Sequence, residues 1–164
     1  IAARGGEKVE LATLLAESDV VSINCPLNDE TRGMVGTDAI ARMRSGAILV
    51  NTARQFIHDE RAVLAALEGG HLAGAGLDCW DREPQPPLDN PLLHHKAVLA
   101  SPHTAGVTEE SRRRIATWGA EQLIGLFVRG ERPPRLVNPA AWPAFAQRFS
   151  AMFGRDVEAR LAAE

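Results

Sequence analysis

The 164-residue sequence predicts a doubly wound α/β layer built on a parallel sheet. Three observations support this fold class. Short apolar runs recur along the chain, amphipathic helical patterns separate them, and polar side chains follow each run directly. Continuous apolar strands that alternate with helices are typical of a parallel sheet covered by helices on both faces.

Four short apolar runs are predicted as strands. They are Asp19–Asn24, Ala47–Val50, Gly74–Leu77 and Val98–Ala100. The first run is rich in β-branched residues and is closed by Pro26. The second carries almost no polar atoms, which indicates a strand buried on both faces.

Helix signals separate these strands. Four apolar residues before the first strand share one helical face, namely Val9, Leu11, Leu14 and Leu15. Thr37 is predicted to cap a short helix that ends at Gly46. Asp59 is predicted to cap a second helix over Glu60–Glu68, which Gly69 ends.

After residue 107 the pattern becomes purely helical. Thr108 is predicted to cap a long helix that runs to Arg129, and Gly130 is a natural end for it. The expected apolar stripe of this helix is Ala116, Ala120, Leu123 and Phe127. A tail follows whose large apolar residues are spaced like one helical face, namely Trp142, Phe145, Phe149, Met152 and Phe153.

Composition excludes several classes of protein. The 18 Lys plus Arg and 21 Asp plus Glu give a formal net charge of −3, which is no basic footprint for nucleic acid. No apolar run approaches the roughly 18 residues of a membrane helix, and the first residues lack the pattern of a secretory signal. Cys25 and Cys79 have no metal-ligand spacing, so we expect no metal site and a cytoplasmic protein.

Polar residues collect where the predicted strands end. Arg54 follows the second strand, Asp78 and Glu83 follow the third, and His103 follows the fourth. The carboxyl ends of parallel strands share one edge of the sheet, where ligands bind in open α/β folds. A guanidinium, two carboxylates and an imidazole at that edge can bind an anionic substrate and move a proton.

Taken singly, each of these four residues also has an ordinary structural explanation. Arg54 fits a surface position, and Asp78 fits a turn or a helix cap. Glu83 fits a solvated loop and His103 a satisfied structural histidine. His58, His71, His94 and His95 carry weaker functional signals, and the adjacent pair lacks the spacing of a helical metal site.

Several longer motifs occur in an order that resembles a known protein family. The motifs are Ser18–Leu27, Glu30–Gly36, Gly46–Arg54, Leu72–Asp78, Glu83–Pro84, Asn90–Leu92 and Ser101–Gly106. In this order they resemble the D-2-hydroxyacid dehydrogenase family over roughly residues 7–139. The tail beyond residue 140 lies outside the resemblance.

The resemblance implies a reaction in which a hydride passes between C2 of a small 2-hydroxyacid or 2-ketoacid and NAD or NADP. It implies that His103 is the general acid/base, that Glu83 hydrogen-bonds His103, and that Arg54 binds the substrate carboxylate as a bidentate fork. The cofactor-lining positions that it implies are Cys25, Pro26, Thr31, Thr52, Ala53, Asp78, His103, Ala105 and Gly106.

The sequence departs from the family pattern in three places. Gln55 and Phe56 follow Arg54 where Gly is common, which affects the expected substrate more than the reaction. Asn24 stands where a histidine is common. No Gly-x-Gly-x-x-Gly is present, so we expect a Rossmann-type sheet that lacks its first strands and glycine-rich loop.

The expected organisation has three parts. Residues 1–107 form a partial dinucleotide-binding domain, residues 108–139 a long helix and a return toward the substrate domain, and residues 140–164 a tail helix. Without its first strands, the sheet would expose the edge of Asp19–Asn24. We therefore expect either a longer enzyme of which this is the C-terminal half, or a gap filled by another chain. A homodimer is the expected assembly.

Two alternatives to the enzyme stay open. One is a dinucleotide-sensing protein like the transcriptional co-repressors that share the fold and its motifs. The other is an inactive C-terminal fragment of the dehydrogenase. Turnover of 2-ketoacids that depends on His103 separates the enzyme from both.

Overall fold

The computed structural model describes residues 2–82 and 86–154, which fall into two compact units, Ile1–Gly106 and Val107–Glu164. The first unit begins with a 3₁₀ turn, Ala2–Arg4, and alternates helices with strands. In chain order these are α1 (Leu11–Glu17), β1 (Val20–Ile23), α2 (Thr37–Ala41), β2 (Ala47–Asn51), α3 (Glu60–Glu68), β3 (Leu72–Leu77), α4 (Pro91–His94) and β4 (Val98–Ala100). The four predicted strands are confirmed.

The sheet is parallel throughout and has the strand order β1-β2-β3-β4. Each strand is joined to the next by a crossover that contains a helix. In register, Ile23 lies beside Asn51 and Asn51 beside Leu77, which is followed at once by Asp78. The carboxyl ends of all four strands therefore lie along one edge, and the Rossmann-like fold class is confirmed.

The core lies on one face of this sheet. Val21, Leu49 and Ala75 are neighbours across three strands and are all at most 5% exposed. On the other face, Val20 is 55% exposed and Leu99 is 80% exposed. Helices were expected to cover both faces of the sheet, but Val20 and Leu99 are exposed in the structure.

Two helix starts show which capping predictions hold. The Asp59 carboxylate accepts hydrogen bonds from the N–H groups of Arg61 and Ala62, at 2.8 and 3.2 Å, so its predicted cap is confirmed. The predicted Thr37 cap is wrong, because Thr37 is already the first helical residue and Gly36 precedes it without a side-chain cap.

Two further helix boundaries differ from expectation. Helix α2 ends at Ala41 rather than at Gly46. Gly46 has a φ of 84° and turns the chain into β2, while its N–H donates to His71 C=O at 2.8 Å. Helix α4 was not predicted, because one four-residue turn carries no periodicity. Asn90 begins it by accepting the N–H of Leu92.

The second unit consists of α5 (Glu109–Arg129), a 3₁₀ turn (Pro139–Ala141) and α6 (Trp142–Phe153). The Thr108 hydroxyl caps α5 by accepting the N–H of Ser111 at 3.1 Å, and Gly130 ends it with a φ of 69°. Both predictions are confirmed. Among the described residues, no helix is long and apolar enough to span a membrane.

The predicted apolar stripe of α5 is wrong. Leu123 is 58% exposed and Phe127 is 46% exposed, whereas Leu126 is buried with Trp142 and Phe149 of α6. The helical spacing of apolar residues predicted one face of α5 as buried. Contact with α6 instead buries the face that carries Leu126. Phe127 still meets the rim of this cluster, because its ring lies 5.5 Å from that of Phe149.

Candidate active site

The carboxyl edge of the sheet is held together by backbone hydrogen bonds between successive turns. The N–H of Asp78 donates to Asn51 C=O at 2.9 Å, and the N–H of His103 donates to Asp78 C=O at 2.9 Å. The turns that follow β2, β3 and β4 are thereby joined in one row. This row carries Arg54, Asp78 and His103.

The carboxylate of Asp78 holds the turn after β4 through hydrogen bonds. Its carboxylate accepts the Ser101 hydroxyl at 2.5 Å, the N–H of Thr104 at 2.7 Å and the N–H of Ala105 at 2.9 Å. The residue is only 2% exposed. A buried carboxylate is stable when its oxygens are supplied with donors, and these three donors come from one short segment.

His103 lies inside the segment that Asp78 holds. Its φ is 54°, in the left-handed region that non-glycine residues rarely occupy. Such a conformation costs on the order of 1–3 kcal/mol and persists when the surroundings over-determine it. The bonds from Thr104 and Ala105 to Asp78 supply that constraint, so the carboxylate sets the backbone from which the imidazole projects.

The pKa of Asp78 lies below its ordinary value. Burial raises the pKa, but the hydrogen bonds from Ser101, Ala105 and Thr104 and the nearby charge of His103 together outweigh burial. Asp78 is therefore an anion near neutral pH. It gives this edge a fixed negative charge close to the imidazole.

Arg54 projects from the turn after β2. Its guanidinium is exposed, and Nη1 donates to Ala53 C=O at 2.6 Å. The backbone C=O of Arg54 accepts Nδ2 of Asn51 at 2.9 Å. The turn is thus held from inside the protein while the charged group faces outward, as binding an anion requires.

Phe56, two residues after Arg54, is held by a different set of contacts. Phe56 has a φ of 59°, and its C=O accepts the N–H of Gly33 at 2.7 Å. The guanidinium of Arg32 lies over the Phe56 ring, 5.2 Å from its centroid. A bulky aromatic side chain is therefore fixed two residues from the guanidinium that is expected to bind substrate.

The acidic residue Asp81 contributes to the same turn. Its carboxylate accepts the N–H of Phe56. Burial and the charge of Glu60 raise the pKa of Asp81 despite that hydrogen bond. Glu60 in turn accepts the N–H of Asp81 at 2.7 Å and the side-chain amide of Asn90 at 2.8 Å.

The remaining predicted cofactor positions lie on the loops of the same edge. Cys25 is half-buried, and Pro26, Thr52, Ala105 and Gly106 are exposed. Thr31 uses its hydroxyl inside its own loop, where it donates to Pro26 C=O at 2.7 Å and accepts the N–H of Asn28 at 2.9 Å. The Thr31 hydroxyl therefore holds the shape of the loop that presents Pro26.

These residues fit a dinucleotide. The exposed residues among the predicted cofactor positions are all small, namely Pro26, Thr52, Ala105 and Gly106. A Cβ added at Gly106 would meet nothing within 4 Å. A flat ligand can approach backbone atoms closely along such an edge. Asp78 differs from the others because its carboxylate is buried and engaged within the fold. A direct contact between Asp78 and the cofactor stays a prediction.

Not every predicted residue can be placed. Arg54 and His103 lie on neighbouring turns of one edge, whereas Glu83 falls outside the described residues. In the ranges 2–82 and 86–154, no group of three His, Cys, Asp or Glu side chains is arranged to hold a metal ion. His94 is exposed and its Nε2 lies 2.7 Å from Leu88 C=O.

The prediction from sequence missed three polar residues of this edge, namely Asn51, His58 and Ser101. Asn51 is 0% exposed and His58 is 2% exposed. The polar end of the apolar run Ala47–Val50 was a usable signal for Asn51. No local pattern marked His58 as buried, because its burial depends on contacts elsewhere in the fold.

Comparison with known proteins identifies the family. Residues 1–105 match the family model described as "D-isomer specific 2-hydroxyacid dehydrogenase, NAD binding domain". The chain belongs to this family. The suspected resemblance is confirmed, and the carboxyl edge described above is the corresponding edge of a dehydrogenase NAD-binding domain.

Curated relatives of this dehydrogenase domain are longer than the chain. A glyoxylate reductase of Korarchaeum cryptofilum is 49% identical over 134 residues, which are 82% of this chain and 40% of the relative. A glyoxylate reductase of Aeropyrum pernix is 45% identical over 82% of this chain and 39% of its own length. The chain thus spans about two fifths of these relatives.

Two solved structures, one of them a dehydrogenase, agree with this assignment. The TT0316 protein of Thermus thermophilus matches with a TM-score of 0.72 and 39% identity, over 79% of this chain and 41% of that one. A D-lactate dehydrogenase with NAD⁺ from Lactobacillus jensenii matches with a TM-score of 0.72 and 32% identity, over 79% of this chain and 42% of that one.

Proposed function

We propose that this protein is an NAD(P)-dependent oxidoreductase that interconverts a small 2-ketoacid and its D-2-hydroxyacid. The observation that carries the proposal is the bonded row of turns from Asn51 through Asp78 to His103. It joins the turn that bears a guanidinium to the turn that bears an imidazole, at the edge where open α/β sheets bind ligands.

Arg54 would bind the substrate carboxylate. A guanidinium presents two parallel N–H groups to two carboxylate oxygens, which fixes both the position and the orientation of a small acid. The exposed position of the side chain suits this role. Orientation matters because a reacting carbon has to meet the nicotinamide in a narrow range of geometries.

His103 would move the proton. In the reductive direction its imidazolium donates a proton to the 2-keto oxygen, and in the oxidative direction its neutral ring accepts the proton of the 2-hydroxyl. The anionic carboxylate of Asp78 holds the segment from which the ring projects, because it accepts the N–H groups of Thr104 and Ala105. Glu83, which lies outside the described residues, is proposed as the direct hydrogen-bond partner of His103.

The dinucleotide supplies or accepts the hydride when it is bound. The chain's own contribution would come from the small, exposed loop residues Pro26, Thr52, Ala105 and Gly106. Relatives of the chain are named glyoxylate reductase and glyoxylate/hydroxypyruvate reductase. These names support glyoxylate and hydroxypyruvate as the proposed substrates of this protein. We further propose a cytoplasmic homodimer in which the α5 segment leads back toward a substrate domain.

The test is a turnover assay on the full-length protein. Nicotinamide absorbance is followed with NADH or NADPH and a panel of glyoxylate, hydroxypyruvate and pyruvate. His103→Ala should lower kcat by about 10²–10⁴-fold, the usual contribution of a general acid. Dinucleotide binding without turnover would instead favour a sensor, and neither binding nor turnover would favour an inactive fragment.

Arg54→Lys separates substrate binding from cofactor binding. We expect the KM of the 2-ketoacid to rise more than the KM of the dinucleotide, because the charge remains while the bidentate fork is lost. Equal rises in both constants would contradict the assignment of Arg54 as the carboxylate anchor.

A further inference from the structure

The turn that carries Arg54 is organised by a single buried amide. Oδ1 of Asn51 accepts the N–H of Ala53 at 2.9 Å, and Nδ2 of Asn51 donates to Arg54 C=O at 2.9 Å. Nδ2 also lies 2.8 Å from Nδ1 of His58. Asn51 and His58 are both almost completely buried.

The donors and acceptors determine the state of the His58 ring. The Ala53 N–H requires an oxygen and the Arg54 C=O requires a donor, so the Asn51 amide can take only one orientation. Its second hydrogen then points to Nδ1 of His58, which must accept it. The His58 ring is therefore neutral with its proton on Nε2, an atom that has no hydrogen-bond partner among the described residues.

The surroundings of His58 agree with a neutral ring. Burial lowers its pKa, and the charges of Glu60 and Asp59 only partly oppose this effect. A proton on Nδ1 would set two donors against each other at 2.8 Å. The neutral imidazole is thus used as an acceptor inside the protein rather than as an acid or base.

The backbone near His58 is held independently of its ring. Val35 N–H donates to Ile57 C=O at 2.9 Å, and Asp59 N–H donates to Val35 C=O at 3.1 Å. These bonds keep His58 in a parallel bridge with Val35. Changing the ring therefore alters what Asn51 can bind while leaving the main chain at residues 57–59 in place.

We propose that His58 is a positioning residue for the substrate-binding arginine: its Nδ1 orients the Asn51 amide, which sets the backbone of Ala53 and Arg54. The last step, from the Arg54 backbone to substrate affinity, rests on the proposed function. The first steps concern only hydrogen bonds of the protein without ligand. They can be tested separately.

Two variants of similar polarity separate the positioning role from packing. His58→Asn places an amide oxygen where Nδ1 of the ring lies, so an acceptor for Asn51 remains. His58→Gln places its amide near the position of Nε2, so the acceptor at the Nδ1 position is lost. His71→Leu is the control, because His71 also loses a hydrogen bond, at 2.9 Å to Ile40 C=O, beside the amino end of β3.

The first measurement is hydrogen exchange of the Ala53 amide in the protein without ligand. We expect exchange about ten-fold faster in His58→Gln, the effect of losing one buried hydrogen bond, and little change in His58→Asn or His71→Leu. Equal exchange in all three variants would overturn the proposal. If His58→Gln does not fold, a long-range ¹⁵N–¹H spectrum of the wild-type ring decides, because a proton on Nδ1 contradicts it.

The second measurement is steady-state kinetics of the full-length protein. The KM of the 2-ketoacid should rise about ten-fold in His58→Gln and return to the wild-type value in His58→Asn, while the KM of the dinucleotide changes less than about two-fold. A ketoacid KM that is unchanged in His58→Gln overturns the link to substrate. A wild-type protein without turnover removes the proposed function but leaves the exchange result valid.

Discussion

The turns after β2 and β4 are held by two different kinds of buried group. The turn after β4 is organised by the anionic carboxylate of Asp78, which takes three donors. The turn after β2 is organised by the neutral pair of Asn51 and His58, which leaves Nε2 of His58 without a partner among the described residues.

The difference follows from what each turn has to carry. The buried carboxylate of Asp78 holds the left-handed backbone from which the His103 imidazole projects. A buried anion below Arg54 would compete with the substrate carboxylate for the guanidinium, whereas a neutral amide and imidazole hold the backbone without attracting it. The turn of Arg54 is thus held by neutral groups, whereas the turn of His103 is held by a carboxylate that accepts backbone N–H groups.

Removing Asp78 should have the largest effect. Asp78→Ala leaves three donors of one segment without their acceptor, so we expect the free energy of unfolding to fall by about 3–5 kcal/mol. Turnover should be lost as well, because the left-handed backbone of His103 is no longer constrained. Urea unfolding monitored by circular dichroism measures the first effect.

The two turns should lose their contributions to the free energy of unfolding in different pH ranges. Burial lowers the pKa of His58 from its ordinary value of 6.5, so the unfolded chain binds the additional proton and stability falls as the pH drops below about 6.5. The pKa of Asp78 is lowered from 3.8, so its contribution is present above about pH 4 and is lost below it.

The pH test requires variants, because Asp81 acts in the opposite direction. Burial and Glu60 raise the pKa of Asp81, so its own contribution favours the fold as the pH decreases. Stability is therefore compared between wild type and each variant across roughly pH 3–8. His58→Asn should remove the loss that begins as the pH falls below about 6.5, and an unchanged loss in this variant would contradict a neutral buried His58.

A helix cap outside both turns provides a smaller reference effect. The Asp59 carboxylate accepts two N–H groups at the start of α3 while its side chain remains exposed. Asp59→Ala should lower the free energy of unfolding by about 1 kcal/mol. Thermal unfolding measures this loss. If Asp59→Ala lowered the free energy of unfolding as much as Asp78→Ala, burial of the Asp78 carboxylate would not explain the larger effect expected there.

The smallest effect is expected at the exposed ion pair of Arg44 and Asp19. Their charged atoms are 2.7 Å apart, and the side chains are 52% and 83% exposed. Arg44→Ala should change the free energy of unfolding by less than about 0.5 kcal/mol, because solvent screens the attraction. The exposed Arg44–Asp19 pair and the buried hydrogen bonds of Asp78 have similar distances, but we expect them to contribute very different free energies.

The sequence by itself determined the four strands, their parallel arrangement, and the helix boundaries at Asp59, Thr108 and Gly130. These features depend on periodicity and on residues adjacent in the chain, which act locally. The expectation that Arg54 and His103 share one edge also came from sequence, because the ends of parallel strands must lie together.

Only the tertiary structure decided which polar groups are buried and what they bind. Asp78 meets donors more than 20 residues away in the chain, and the burial of His58 beside Asn51 depends on the whole sheet edge. The buried row of α5 was likewise selected by α6 rather than by periodicity. Hydrogen bonding and burial are properties of three-dimensional neighbours, so no local pattern specifies them.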